Sequence, residues 1–302
     1  MPTNAEIASL TARRIEQRLG KKLEIPPLSL TAQKVLQLRA NPDAHLDQLT
    51  AIIETDPALA AQVMSWAASP VYATPGKICS VEDAIVRALG FDMVMNLALG
   101  LALGKKFSLP RQLQHDNTSH WKQALYNATV IEGLIRLMPR EQRPEPGLAY
   151  LAGLLHNFGY LLLAYLFPPH FTLIQQQLAD NPNSSSREIE QQILGMTRDD
   201  ICVSLMHTWN MPEELTTAIA QQHNPDYNGP HAEYAQLVQL ANMLLAAQNG
   251  DETNEAQLEI LCRQLRLQPQ QVRQSMERVL AAEMALRSLS EQLSRPESCQ
   301  HA

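Results

Sequence analysis

The residues of this sequence best equipped for chemistry are nine histidines and four cysteines. Imidazoles and thiolates bind metals, move protons or attack electrophiles. Cys79, Cys202, Cys262 and Cys299 stand 123, 60 and 37 residues apart. No CxxC pair occurs, which argues against a zinc ribbon or a thioredoxin-like site. Four scattered thiols point to a reducing compartment, and the expected location is cytoplasmic. The most unusual placement is His156-Asn157, a polar pair in the middle of the apolar run Gly147 to Phe167. Such a pair either satisfies buried hydrogen bonds, the plainer reading, or lines a small-molecule pocket. Ser184-Ser185-Ser186, followed by Arg187 and Glu188, reads as a loop with a helix N-cap sooner than as a phosphorylation target. No GxxxxGK[ST] loop and no GxSxG elbow occurs, so neither nucleotide-phosphate cradling nor a serine hydrolase is signalled.

Composition narrows the classes further. The 302 residues carry 24 Lys and Arg against 31 Asp and Glu, a net charge of −7. Nucleic-acid binding needs clustered cations, and the pairs Arg13-Arg14 and Lys105-Lys106 are too sparse to supply them. Hydrophobic residues at 45% and charged ones at 18% fit an ordinary globular core. The opening residues lack the basic-then-apolar pattern of a signal peptide. Met93 to Leu103 is too short to cross a bilayer. Gly147 to Phe167 carries His156 and Asn157 at mid-depth, which suits a buried core helix better than a lipid span.

The elements that must position these groups are helical. No alternating Val/Ile/Thr-rich run of strand length stands out. Asp56-Pro57 reads as an N-cap with Pro at the first helical position, opening Ala58 to Ala68. Ser80 with Asp83 resembles a capping box, Gly90 ends that helix, and Asp92 can cap the next. Asp200 to Trp209 is another helix, and Pro212 starts one through about Gln222. Breaks fall at Pro139 to Gly147, Asn181 to Ser186, Asn224 to Pro230 and Gln248 to Asn254. Trp66, Trp121 and Trp209 suit core anchors. Two polar-faced helices are expected in the last fifty residues, with Val272, Met276, Leu280, Met284, Leu286, Leu289 and Leu293 at helical spacing. That stripe packs on the main body or serves a partner or a second copy in a homo-oligomer.

An ordered series of segments resembles the HDOD family, the HD-related output domain of bacterial signalling proteins. It opens with Ile25-Pro26-Pro27-Leu28, then Asp56-Pro57-Ala58-Leu59 and the helix to Ser69 and Tyr72. Ile78, Ser80, Ala84, Ile85, Leu89 and Gly90 follow. Then come Ala152-Gly153-Leu154-Leu155-His156-Asn157-Phe158-Gly159, Trp209-Asn210-Met211-Pro212, Ala218-Ile219 and His223. The matches run from about Leu23 to about Asn242. The family usually has Asn-Ser where this chain has Ala68-Ser69. The resemblance implies an all-α fold, with a helical N-terminal part packed on an HD-like core. It implies an HDOD domain over residues 18–222, an HD-like core over about 110–248, and a C-terminal helical extension over 250–302.

The parent HD superfamily contains metal-dependent phosphohydrolases, built on a His, an adjacent His-Asp pair and a late Asp. Imidazoles and carboxylates bind a divalent metal, which lowers the pKa of a bound water and stabilises charge on phosphate. The resemblance places the first His near Gln123 and the His-Asp pair at His156-Asn157. It places an additional His near Arg198, a later pair at Gln222-His223, and the late Asp at Asn242. The carboxylates are thus amides, and one ligand position holds a cation that would oppose a metal. A shifted register could bring in His120, three residues before Gln123, and His207. Otherwise His120 reads as a solvated helix-start residue, and His207 as an interhelical or surface residue beside Trp209.

The expected function is a non-catalytic signalling module working through protein contacts, with no cofactor and no metal. Unidentified signalling proteins are its partners, and neither nucleic acid nor membrane is expected. No receiver, cyclase or kinase segment is seen, so the module is read as stand-alone. The alternatives are a metal-dependent HD-type phosphohydrolase or phosphodiesterase acting on a nucleotide, and a small-molecule sensor using the vestigial pocket.

Overall fold

A computed structural model describes residues 27–72, 77–104, 107, 114–181, 184–248, 250 and 254–294. The described residues form sixteen helices and no strand, as the sequence predicts. Ile25, Pro26, both basic pairs, Cys299 and residues 18–24 of the expected domain lie outside the described residues.

The N-terminal part comprises α1 (Leu30–Arg39), α2 (Leu46–Glu54), α3 (Pro57–Ala67), α4 (Val81–Asp83, continued by a π-helical segment Ala84–Leu89) and α5 (Phe91–Gly104). Asp56 caps α3, its Oδ1 accepting from Leu59 N at 3.0 Å, with Pro57 in the first turn. Ser80 Oγ accepts from Asp83 N at 2.9 Å, while Asp83 Oδ2 accepts from Cys79 N at 2.9 Å. The helix after Ser80 then winds wider than an α-helix, and Gly90 N–H reaches back five residues to Ile85 O at 2.8 Å. Gly90 closes it at φ 84°, in the region that suits glycine. Asp92 does not cap α5. It sits inside the first turn, and its carbonyl accepts from Asn96 Nδ2 at 2.7 Å. Arg39 Nη1 donates to Asn96 Oδ1 at 2.7 Å and Arg39 Nη2 to Glu145 at 2.5 Å, which ties α1 and α5 to the start of the next layer.

The 24-residue α6 (Gln114–Leu137) is the axle of the molecule. Against it pack α7 (Pro146–Leu155), α13 (Ala232–Gln248), α15 (Pro269–Ala281) and α16 (Glu283–Ser294). A Cβ on Gly153 would fall 2.7 Å from Ala128 Cα, so only glycine lets α7 come this close to α6. Between them lie α8 (Phe158–Leu166), α9 (Pro168–Asp180), α10 (Ser186–Leu194), α11 (Arg198–Thr208) and α12 (Glu213–Gln221), with α14 (Glu255–Gln264) after α13. Trp66, Trp121 and Trp209 are all buried.

Three boundaries differ from the sequence reading. The run Gly147 to Phe167 is not one helix. It is α7 and α8, bent by 43° at His156-Asn157. The helix expected from Asp200 begins at Arg198, because Thr197 caps it in a box with Asp200. The chain end folds as three helices where two are expected. Val272, Met276, Val279, Leu286 and Leu289 are buried, whereas Met284 of the predicted stripe is 88% exposed. No single helix among the described residues is long and apolar enough to cross a membrane. The bent pair α7 and α8 has the length and composition, but most of its residues are buried in the protein.

Candidate functional site

The bend between α7 and α8 creates the site. Asn157 leaves helical geometry at φ −112°, ψ 20°, so the α-helical bonding ladder is interrupted and polar groups there need other partners. Gln222 Nε2 donates to the freed His156 carbonyl at 2.8 Å, anchoring the end of α12. His156 Nδ1 lies 2.8 Å from Gly153 O. A carbonyl only accepts, so Nδ1 carries the proton and Nε2 keeps its lone pair. Burial pulls the His156 pKa down to about 4, against the opposing Gly153 bond and the Asp199 charge. The imidazole is therefore neutral near pH 7. Half of the buried-network expectation thus holds. Asn157 departs from it, because its side chain makes no hydrogen bond among the described residues.

Gly159 in α8 abuts the Arg198 carbonyl, where any Cβ would collide, and this brings the bend against the start of α11. The Thr197–Asp200 box fixes that start: Thr197 N donates to Asp200 Oδ2 at 2.8 Å. Arg198 follows at once. Its backbone N–H donates to Glu190 Oε2 at 2.8 Å, and its Nε and Nη2 pair with Glu190 Oε1. The guanidinium lies 5.3 Å from the centroid of the Tyr160 ring. Glu190 is fully buried, an anion set inside the protein opposite one cation. Next to it, Asp199 Oδ2 takes Arg187 Nη1 and lies 3.3 Å from His223 Nε2.

Two adjoining lobes surround these groups. One, of about 300 Å³, holds His120, Gln123, Tyr160 and Gln175. The other, of about 320 Å³, holds His156, Arg187, Gln222, His223 and Asn242. Asn157, Ser186 and Arg198 line both. The fold therefore brings together all seven positions singled out from the sequence: Gln123, His156, Asn157, Arg198, Gln222, His223 and Asn242. A separate cavity of about 290 Å³ between α6 and α15 contains none of them.

The structure adds four residues that sequence reasoning missed or misplaced. His120 is buried, not solvated, and stacks on Tyr160 with ring centroids 5.9 Å apart. Its pKa falls to about 3 through burial, then through His156 and Arg198. Asn127, fully buried, donates to Asn242 Oδ1 at 2.7 Å. Glu190 and Tyr160 hold Arg198. The available signal for Glu190 is its place two helical turns before Arg198, across a break. His207 lines neither lobe; its pKa is lowered by burial against the pull of Glu213, a different neighbourhood. The shifted-register metal site therefore gains His120 and loses His207.

The donors do not fit a divalent metal. Asn157 and Asn242 are neutral, and the Asn242 oxygen is occupied by Asn127. Arg198 adds a positive charge, and the neighbouring carboxylates Glu190 and Asp199 are engaged by Arg198, Arg187 and His223. Among the described residues no group of three or more His, Cys, Asp and Glu is placed to hold a metal ion.

The body is thus all-α among the described residues, with a helix broken at a His-Asn pair that shares a lobe with a late amide. Residues 25–225 match the HDOD domain, and the chain belongs to that family. A solved structure from Marinobacter aquaeolei VT8, named for signal transduction, is 41% identical over 97% of this chain, with a TM-score of 0.80. An HDOD domain protein of unknown function from Geobacter sulfurreducens shares the fold at 19% identity over 94% of this chain and 99% of its own, TM-score 0.75. A structure from Shewanella amazonensis SB2B that carries a phosphohydrolase name shares it at 20% identity over 93% of this chain and 98% of its own, TM-score 0.74. An uncharacterised protein of Treponema pallidum is 25% identical over 266 residues, 84% of this chain. This chain spans 66% of the Marinobacter protein and 48% of the Treponema one.

Proposed function

We propose that this chain is a non-catalytic signal-transduction module that acts through contacts with other signalling proteins in the cytoplasm. One observation carries the reading: Arg198, locked by the buried Glu190, sits among the positions where a metal-dependent relative would place ligands. A guanidinium cannot be deprotonated in a protein, so it cannot ligate a metal. The amides at Asn157 and Asn242 supply no compensating negative charge. The Marinobacter structure named for signal transduction supports the same class.

The test is metal content after incubation with manganese or ferrous iron and desalting, read by plasma mass spectrometry. Metal well below one equivalent is the expected result, because carboxylate ligands are absent. Near-stoichiometric metal with phosphodiester hydrolysis overturns the reading in favour of a phosphohydrolase. A second reading, a small-molecule sensor, is favoured by the two adjoining lobes and the polar side chains that line them.

A further inference from the structure

Two Asn-Gly pairs occur in the sequence, Asn228-Gly229 and Asn249-Gly250, and Asn249 lies outside the described residues. Asn228 and Gly229 are exposed in the loop between α12 and α13. An asparagine amide is open to attack by the backbone nitrogen that follows it, and glycine leaves that nitrogen unshielded because it has no Cβ. The Gly229 N–H makes no hydrogen bond among the described residues, so nothing holds it away from that chemistry. Asn224, in the same loop, precedes Pro225, whose nitrogen carries no proton to lose.

The Asn228 side chain is both held and polarised. Gln264 Nε2 of α14 donates to its Oδ1 at 3.1 Å, and Gln236 Nε2 of α13 reaches the same oxygen at 3.4 Å. Its own Nδ2 donates to Asp226 O at 3.1 Å. Attack on Cγ puts negative charge on Oδ1, and N–H donors already aimed at that atom stabilise it. The turn around the pair has no slack. A Cβ on Gly229 would lie 2.7 Å from Tyr227 Oη, and that hydroxyl donates to Pro230 O at 2.9 Å. Gln239 Nε2 ties the start of the loop to the end of α12 through Gln221 O and Asn224 O, both at 2.9 Å. Gln222 and His223 of the cleft lie between those two anchors.

We propose that Asn228 is a self-modifying site, where the folded chain converts its own amide to an acid and so loosens the loop that borders the cleft. Gly229 N loses its proton to hydroxide and bonds Asn228 Cγ, forming a cyclic succinimide. The Cγ–Nδ2 bond breaks, and the amide nitrogen leaves as ammonia with a proton taken from water. Water then opens the ring at either carbonyl, giving aspartate or isoaspartate. The net change consumes a water and releases an ammonia, with no oxidant, reductant or cofactor. Isoaspartate runs the backbone through the former side chain and adds a methylene to the turn. A turn without slack takes up that length only by pulling residue 228 away from Gln264. The proposal depends on neither the signalling reading nor the sensor reading.

Incubation of the full chain at pH 8.5 tests it, folded in buffer and unfolded in guanidinium chloride, with peptide mapping by mass spectrometry for the mass gain of an amide turned acid. Asn228 should convert in the folded protein at least as fast as in the unfolded chain. Q264L removes one donor and should slow the folded-state conversion about threefold to tenfold, the worth of one hydrogen bond. The comparison of folded and unfolded unaltered chain needs no variant, which keeps the test decisive if Q264L fails to fold. Amide hydrogen exchange at the end of α14 should quicken in the converted protein and stay at its starting level in freshly made N228D, because aspartate keeps the Gln264 bond. Slower conversion in the folded protein than in the unfolded chain overturns the site, as does a folded Q264L that converts at the unaltered rate or faster. Unchanged exchange in protein already converted to isoaspartate overturns the loosening.

Discussion

Glu190 and Arg198 meet through three contacts, two from the guanidinium and one from the Arg198 backbone N–H. The pair links α10 to the first residue of α11 and takes a cation to the centre of the cleft. Taking an isolated carboxylate out of water is costly, and the Arg198 charge together with its hydrogen bonds offsets that cost.

Breaking the pair from one side should therefore be severe. Glu190→Leu or Arg198→Met alone is expected to lower unfolding free energy by about 3–5 kcal/mol, and the two combined by much less. Urea melts of the two single variants and the double variant form the cycle that checks this. A double-variant loss equal to the sum of the two single losses would mean that the contact carries no coupling.

The approach of α8 to α11 depends on Gly159. Gly159→Ala places a methyl group against the Arg198 backbone carbonyl, which cannot swing aside like a long side chain. The expected cost is about 1–3 kcal/mol. Gly250→Ala is a useful contrast, because there the added Cβ meets nothing and the penalty comes from φ +93° alone. Chemical denaturation of both variants separates crowding from backbone strain.

Acid should weaken the fold through two imidazoles. His120 and His156 have folded pKa values of about 3 and about 4, lowered from the ordinary 6.5 mainly by burial. The unfolded chain takes up these protons below about 6.5, while the folded chain resists until about 4 and then 3. Their contribution is therefore complete above pH 6.5 and is lost as pH falls through that window. Each histidine contributes a slope of about 1.4 kcal/mol per pH unit between roughly pH 6 and pH 4. Denaturation at pH 7, 5.5 and 4.5 should show the loss, and His120→Gln should flatten it.

The chain end should behave as part of the body. Leu286 and Leu289 are buried where α16 packs against α6. Leu286→Ala is expected to cost about 2–4 kcal/mol and to lower the single unfolding midpoint of the whole chain. A separate early transition, with the main midpoint unmoved, would show that α16 is only loosely attached.

Thiol reactivity should divide in the same way as burial. Cys79 is exposed, whereas Cys202 and Cys262 are buried and burial pushes both thiols up in pKa. In a C299S background, a disulfide reagent should modify one thiol in the native protein and all three only after unfolding. Rapid native reaction at Cys202 would contradict its enclosure behind α8.

The fold and the clustering of the site were legible because both rest on local or ordered signals. Capped helices such as that after Asp56 are written in neighbouring residues, and the series from Pro27 to His223 fixes the family. What the sequence hides is long-range. Nothing near Asn242 announces Asn127, which lies 115 residues away. Nothing near His120 shows that α8 will cover it with Tyr160, so an early-helix histidine reads as solvated. The bend at Asn157 is masked by the unbroken apolar character on either side, since burial on all faces erases helical periodicity. The wide winding before Gly90 is likewise invisible to a spacing argument that assumes ordinary α-helical turns.

The seven cleft positions have a consequence for how the protein can be recognised. They sit on or beside α6, the α7–α8 bend, α11, α12 and α13, more than a hundred residues apart at their extremes. No continuous peptide owns the cleft, and no fragment that lacks one of those helices can present it. A molecule that binds there senses the assembled body as a whole. A signal delivered through this surface is thus withheld until folding is complete, and it is withdrawn as soon as any one of those helices lets go.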